Sequence, residues 1–390
     1  MTRIKQFRLA RGYSLDELAS AMGGIVTKQA LSKYERGLSV PSAHVLTRLA
    51  GALGVKAMRL WAEPELSVRF VAFRKRSTLP VKAQTAIRAL ATEKLEERTR
   101  LQEYGFALVA FEVPIEKYEV TSEADAEEAA SKVRDLWRLG VDPIANLTAV
   151  LEDHLVHVIE VDAPVKFDGI SAVAESEDGK AKAAAVVSRT ACPGDRQRLS
   201  LAHELGHLVM KPSKKVDEER AAFRFAGAFL APRASLQREV GDRRTSVRIE
   251  ELLILKQRFG MSMQALLKRM SDLEIITATT YKWACVHLSR LGYRKEEPQP
   301  IRREVSEWLR QAGLRCWAEG LITQLEAEHL VGQRLDEKES PTSLRRRAFL
   351  TLPMEERRRI LEEQATQIQK SYDADDSWRQ IQEGGIVEHK

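Results

Sequence analysis

His203 and His207 lie four residues apart, and Glu204 directly follows the first. Within a helix, side chains four apart share a face. The two imidazoles can then offer nitrogens to one zinc ion, while Glu204 on the adjoining rung can take a proton from an attacking water. The pattern H-E-x-x-H is that of a zinc metallopeptidase site. The run around it, Leu199 to Met210, is apolar at helical spacing. Leu201, Leu205, Leu208 and Val209 would make a buried face, and Gly206 leaves room for another element to approach.

Two histidines leave a catalytic zinc one protein ligand short. Asp217, Glu218 and Glu219 open a second predicted helix, with Ala222, Phe225, Ala226 and Phe229 on its buried face and Pro232 beyond its end. Glu219 projects near that inner face, and Glu218 points about a quarter-turn away. An exposed acidic first turn, favoured by the helix dipole, equally explains Asp217 and Glu218. The elements that must position these residues are an expected helix from Ala126 to Leu139 and strands at Leu155–Val161, Ser171–Ala174 and Ala183–Val187. Pro193-Gly194-Asp195 is read as the turn into the metal-bearing helix. A small sheet beside such a helix is an α+β arrangement.

Residues 1–62 carry a second kind of chemistry. A first helix contains Ile4, Phe7, Leu9 and Ala10. Ser14 and Glu17 predict a capping box before a short helix, Gly23-Gly24 supplies a turn, and a third helix runs from about Thr27 through Tyr34. Val45, Leu46, Leu49, Ala50 and Leu53 mark a fourth. Two short helices around a tight turn, packed by two more, make a helix-turn-helix design.

The chain's 390 residues suit two or three domains, and its 44% hydrophobic and 30% charged content is that of a globular chain. No apolar run is long enough for a membrane helix, and Met1 to Gln6 lack a signal core, so a cytoplasmic location is expected. Cys192, Cys285 and Cys316 are too few and scattered for a disulfide framework. A net charge of +6 permits nucleic-acid binding without demonstrating it.

The N-terminal segment resembles the λ-repressor-like (XRE) family, through Leu18-Ala19, Ser32-Lys33-Tyr34-Glu35-Arg36-Gly37, Pro41 and Leu49-Ala50. The resemblance implies a double-stranded DNA operator as partner. Thr27, Lys28, Gln29, Ser32 and Lys33 would face the major groove, where Lys and Gln read base edges and Ser and Thr bind phosphates. Two half-sites on such an operator imply a homodimer.

Residues from about 120 to 300 resemble the ImmA/IrrE family of zinc metallopeptidases. The carrying segments are Asn146-Leu147, Phe167-Asp168-Gly169-Ile170-Ser171, Pro193 to Arg198, Leu201 to His207, Glu219 to Pro232, Leu255-Lys256, Phe259-Gly260 and Met261 to Leu266. The resemblance implies Zn2+ held by His203, His207 and Glu219, with Glu204 as general base. It also implies site-limited cleavage of a repressor-type protein. The chain departs from the family at Phe223, where Asn or Asp is usual, and at Ala221, where Glu or Gln is.

The expected organisation is therefore multidomain. An all-α helix-turn-helix domain (1–65) is followed by a strand and helical linker (66–112), which carries the basic cluster Arg74-Lys75-Arg76. An α+β zinc-peptidase domain with the H-E-x-x-H helix spans 113–300. A mostly helical C-terminal region comprises an extension (301–338) and a tail (339–390). Ile301 to Leu330 reads as two amphipathic helices carrying Trp308, Leu309, Trp317 and Leu321, and Glu355 to Tyr372 as one more. The tail loosely resembles short antitoxin segments, and Phe349, Leu350, Leu361 and Trp378 could form a strip for a small toxin. That gives a rival reading, an antitoxin or transcriptional repressor of a toxin-antitoxin module whose peptidase fold is a sensor or scaffold. A self-processing regulator that cuts its own linker is a third.

Overall fold

The computed structural model describes residues 2–62, 66–72, 79–105, 111, 113–165, 167, 169–335 and 348–374. The chain forms two compact units, Met1–Leu309 and Arg310–Lys390.

The first unit opens with helices α1 (Arg3–Ala10), α2 (Leu15–Ala21), α3 (Lys28–Glu35), α4 (Ala43–Leu53) and α5 (Ala57–Trp61). Ser14 Oγ accepts from the Glu17 amide at 3.1 Å, and the Glu17 carboxylate accepts from the Ser14 amide at 2.6 Å, which closes the capping box of α2. Gly23 and Gly24 turn the chain at φ 73° and 71°, a conformation that favours glycine. Phe7, Leu18, Met22, Leu31, Leu49 and Leu53 fill the core. Arg8 and Glu35 form a buried bidentate pair at 2.5 and 2.9 Å, fixing α3 to α1. Helix α5 was not expected. Its five residues are too short for periodicity to reveal, yet Leu60 completes the core.

Next come β1 (Ser67–Ala72), α6 (Val81–Gly105), β2 (Tyr118–Val120), α7 (Glu123–Leu136), α8 (Leu147–Asp153), β3 (Val156–Val161), β4 (Ile170–Glu175) and β5 (Ala181–Arg189). They are followed by α9 (Gly194–Val209), β6 (Met210–Pro212), α10 (Glu218–Leu230), α11 (Arg233–Val240), α12 (Ile249–Phe259), α13 (Met263–Asp272) and α14 (Ala278–Arg290). The main sheet has the order β1-β4-β5-β3. Its β1–β4 and β4–β5 pairs are antiparallel and its β3–β5 pair is parallel, while β2 and β6 form a separate parallel pair.

Strand alternation divides this sheet between two cores. Ile159, Val161, Ala183, Ala185 and Val187 face the α6 side, with Ile87, Ala91 and Leu95. Val156, Val158, Ala184 and Val186 face the other side, with Leu201, Leu205 and Leu208 of α9 and Phe225 of α10. Strand β5, central in the sheet and buried on both faces, reads as a continuous apolar run from Ala183 to Val187.

Two expected boundaries are redrawn. Residues 66–112 were expected to link the two domains, but β1 is an edge strand of the main sheet and α6 covers one sheet face. Ser67 pairs with Glu175 across more than a hundred residues, a partnership that local periodicity does not carry. The cluster Arg74-Lys75-Arg76 lies outside the described residues. Residues 301–307, expected to be helical, form no helix and pack against α9. Carbonyl oxygens of Ile301 and Arg302 sit where a Cβ on Gly194 would be, at 2.5 Å. Glu304 caps α8 by accepting from the amides of Leu147 (3.0 Å) and Thr148 (2.7 Å). It also pairs with buried Arg198. Helix would forfeit these contacts.

The second unit holds most of α15 (Trp308–Ala318), then α16 (Gln324–Val331) and α17 (Met354–Ala374). Gly313 lets α15 approach Leu330 of α16. Leu321 sits in the intervening turn and is exposed, rather than in a helical core. Leu350 and Leu361 are also exposed, and Trp378 lies outside the described residues. Among the described residues no helix is long and apolar enough to cross a membrane.

Candidate metal centre and recognition helix

Helix α9 starts at Gly194, directly after Pro193, and carries Asp195 in its first turn, where a carboxylate meets the positive end of the dipole. It presents His203, Glu204 and His207, all buried. Helix α10 crosses it at Gly206, where an added Cβ would lie only 3.0 Å from the Phe225 ring. Asp217 caps α10 by accepting from the amides of Glu219 (3.1 Å) and Arg220 (3.2 Å). That leaves Glu218 and Glu219 on the first turn, facing α9.

Glu219 is the carboxylate brought to both histidines. Its Oε2 lies 3.5 Å from His203 Nε2 and its Oε1 3.8 Å from His207 Nε2, while the two Nε2 atoms are 3.1 Å apart. Tetrahedral zinc with ligands near 2 Å requires donor atoms about 3.3 Å from one another. The observed separations bracket that value, and two imidazoles plus a carboxylate are a donor set suited to zinc. These residues therefore fit the ion. Glu218 was expected to point away, yet its Oε1 lies 3.3 Å from His207 Nδ1, the outer nitrogen of that ring. Burial draws the His207 imidazole down, but Glu218, Glu204 and Glu219 outweigh burial and hold it above its ordinary value. The surroundings favour positive charge.

Glu204 is held from the sheet side. Ser171 on β4 donates from Oγ to Glu204 Oε2 at 2.6 Å, and Gly169 leaves the space that the carboxylate occupies: a Cβ there would lie 2.7 Å from Oε1. Neither role was visible in the sequence, where Gly169 figured only in a family-like segment and Ser171 there and as the start of an expected strand. His203, Glu204 and Glu219 line a 920 Å³ cleft walled by α9, α13 and residues 293–300. Phe223 stands over His203, ring centroids 4.3 Å apart, and is 49% exposed. Lys256, 1% exposed, joins α12 to the cleft wall through Glu297 at 2.9 Å and Asp195 at 3.4 Å. Glu297 in turn accepts from the Met263 amide at 3.0 Å.

The second residue set is separate. Thr27 caps α3 by accepting from the Ala30 amide at 3.3 Å. Lys28, Gln29 and Lys33 are exposed on that helix and Ser32 is half-buried. Lys28 lies 3.3 Å from Asp16 on α2, and both side chains are exposed. Exposed Arg36, not in the expected set, follows at the end of α3. In the same bundle α1 meets α6 through Arg3–Glu96 at 2.5 Å and Arg11–Glu93.

Comparison with known proteins matches residues 4–60 to the helix-turn-helix family. It matches residues 189–271 to the peptidase family described as IrrE N-terminal-like domain. The chain joins a helix-turn-helix segment to an IrrE-like segment. The IrrE-like match contains α9 and α10, hence all four residues of the candidate centre. A Bacillus subtilis (strain 168) protein named as an SPbeta prophage-derived uncharacterized HTH-type transcriptional regulator, YonR, is 40% identical over 53 residues. That alignment covers 14% of this chain and 47% of the relative, so the chain spans about half the length of the curated relative it matches. No solved structure gives a significant match.

Proposed function

We propose that the chain is a DNA-binding transcriptional regulator with a zinc-dependent metalloendopeptidase site that cuts a repressor-type protein at limited positions. The observation that carries this reading is the His203, His207 and Glu219 donor set at tetrahedral spacing, with Glu204 held beside it at the floor of a cleft. Zinc bound by these three residues would polarise the scissile carbonyl and acidify the attacking water. Glu204 accepts the proton of that water and returns it to the departing amine. Ser171 keeps the Glu204 carboxylate in one orientation, because its hydroxyl engages one oxygen and leaves the other to act.

The deciding experiment compares wild type with Glu204→Gln for zinc content and for cleavage of a candidate repressor. Both proteins should hold about one zinc per chain, while cleavage by the variant should fall roughly 10²- to 10⁴-fold. Equal cleavage by the two proteins, or no cleavage by wild type, would sink the reading. Gly169→Ala is a finer test. Its added carbon meets the Glu204 side chain at 2.7–3.0 Å, so zinc content and stability should persist while cleavage drops at least tenfold. Undiminished activity would show that the carboxylate's position is not critical.

For DNA, α3 is the proposed reader, supported by the exposure of Lys28, Gln29 and Lys33 and by the family match. The triple variant Lys28→Ala/Gln29→Ala/Lys33→Ala should bind its operator at least a hundredfold more weakly, with a shallower salt dependence. Unchanged affinity and salt slope in a gel-shift series would exclude α3.

A further inference from the structure

The helix-turn-helix match ends at residue 60, and the helix that braces the bundle, α6, begins at Val81. Helix α1 packs along α6, and three acids of α6 meet three arginines of the bundle. Glu96 pairs with Arg3 at 2.5 Å, Glu93 with Arg11, and Glu97 with Arg59 of α5 at 3.9 Å. The side chains of Glu93 and Glu96 are buried to within 11% exposure, so salt screens these pairs less than surface ones. The opposite face of α6 packs on the main sheet through Ile87, Ala91 and Leu95. Its first turn is thereby held in a fixed place beside the bundle.

That turn adjoins the first turn of α2. Lys82 Nζ lies 3.8 Å from Glu17 Oε2. Asp16, the residue before Glu17, lies 3.3 Å from Nζ of Lys28, the first residue of α3. Two adjoining acids of α2 thus bridge Lys28 to Lys82. In a helix-turn-helix the first residues of the recognition helix reach base edges, and the helix before it crosses the sugar-phosphate backbone. Roughly one helix thickness, about 10–12 Å, lies between the two lysines, and the major groove is about 12 Å wide. With Lys28 at the bases, Lys82 stands where phosphates border the groove.

Glu17 does not hold the lysine in place. Its carboxylate is committed to the Ser14 amide at 2.6 Å, and the bonds from Ser14, ahead of Lys82, keep it below the ordinary carboxylate value. The side chains of Lys82 and Glu17 are 69% and 56% exposed, and a pair so exposed is worth little. The ammonium can turn to a phosphate at small cost.

Resting on the reading of α3 as the DNA reader, we propose that Lys82 contacts a backbone phosphate beside the groove that α3 enters. The DNA interface then extends from the bundle onto the helix that covers the main sheet.

The test uses the full chain. Wild type selects a short duplex from a random pool. Wild type, Lys82→Ala, Lys82→Glu and Lys180→Ala are then titrated with that duplex, and with one of unrelated sequence, over a range of salt. Lys180, 79% exposed, is the control. Gln102, near the end of α6, donates to the Lys182 carbonyl at 3.0 Å, which sets that hairpin at the far end of the helix from Lys82. Lys82→Ala should bind both duplexes about fivefold more weakly near 0.1 M salt, with a log-log salt slope shallower by about 0.9, the share of one phosphate. Lys82→Glu should lose roughly tenfold or more, and Lys180→Ala should match wild type. Thermal unfolding should not distinguish the variants from wild type, because both lysines are exposed. An unchanged slope in Lys82→Ala, a loss confined to the selected duplex, or an equal loss in Lys180→Ala would overturn the phosphate contact. The reading of α3 would survive each of these, since the triple α3 variant tests it separately. Failure of wild type to select any duplex would overturn both.

Discussion

His203→Ala should cost the chain its zinc. The three donors come from two helices, His203 and His207 from α9 and Glu219 from α10, and each lies within 3.8 Å of the other two. Removing one imidazole leaves an imidazole and a carboxylate that is 39% exposed, a pair with little hold on the ion. Replacing an outer partner of a zinc ligand already weakens binding roughly 10- to 100-fold, so loss of a ligand should exceed a hundredfold. Dialysis against a competing chelator followed by elemental analysis checks this. His207→Ala should behave alike, and Glu219→Ala should weaken binding further than Glu218→Ala, because Glu218 reaches only the outer nitrogen of His207. Full occupancy in His203→Ala would remove that residue from the centre.

Arg198→Ala should be among the most destabilising single changes in the first unit. The guanidinium is 4% exposed, donates to the Ile144 carbonyl at 2.7 Å and pairs with Glu304, whose carboxylate caps α8. It thus ties α9, the segment before α8 and the 301–307 strap together. Its removal strands a buried carboxylate, a loss of about 3–5 kcal/mol. Urea unfolding followed by tryptophan fluorescence should show a markedly lower midpoint. Glu304→Gln in the same chain should restore part of it, since the stranded charge is then gone. A midpoint within experimental error of wild type would mean that the strap bears no structural load.

The sequence announced the parts of the candidate centre that lie within one helix. Spacing of four placed His203 and His207 on a common face, and the match of α9 to the expected apolar run follows from Leu201, Leu205 and Leu208. For the carboxylate, spacing offered several candidates. The choice of Glu219 depends on how α10 is phased against α9, which is information held in packing. Ser171 and Gly169 were silent for the same reason, since β4 meets α9 only in the folded chain. The burial of Lys256 and Arg198 was not legible, because a lone cation reveals nothing of the acids that will surround it. The N-terminal helical segment was more legible: the capping box at Ser14 and the Gly23-Gly24 turn are local chemistry. The participation of β1 and α6 in the sheet was not, because their partners lie far along the chain.

The crossing at Gly206 has a consequence for manufacturing tolerance. Two of the three donors ride on one helix and the third on its neighbour, so their mutual spacing is inherited from the distance between two backbones. A methyl at Gly206 would come within 3.0 Å of the Phe225 ring, so its absence lets the two backbones approach this closely. Side-chain torsions can trim an error of tenths of an ångström, but they cannot recover a displaced helix. The spacing of the candidate centre thus depends in part on a residue that lies outside the donor set.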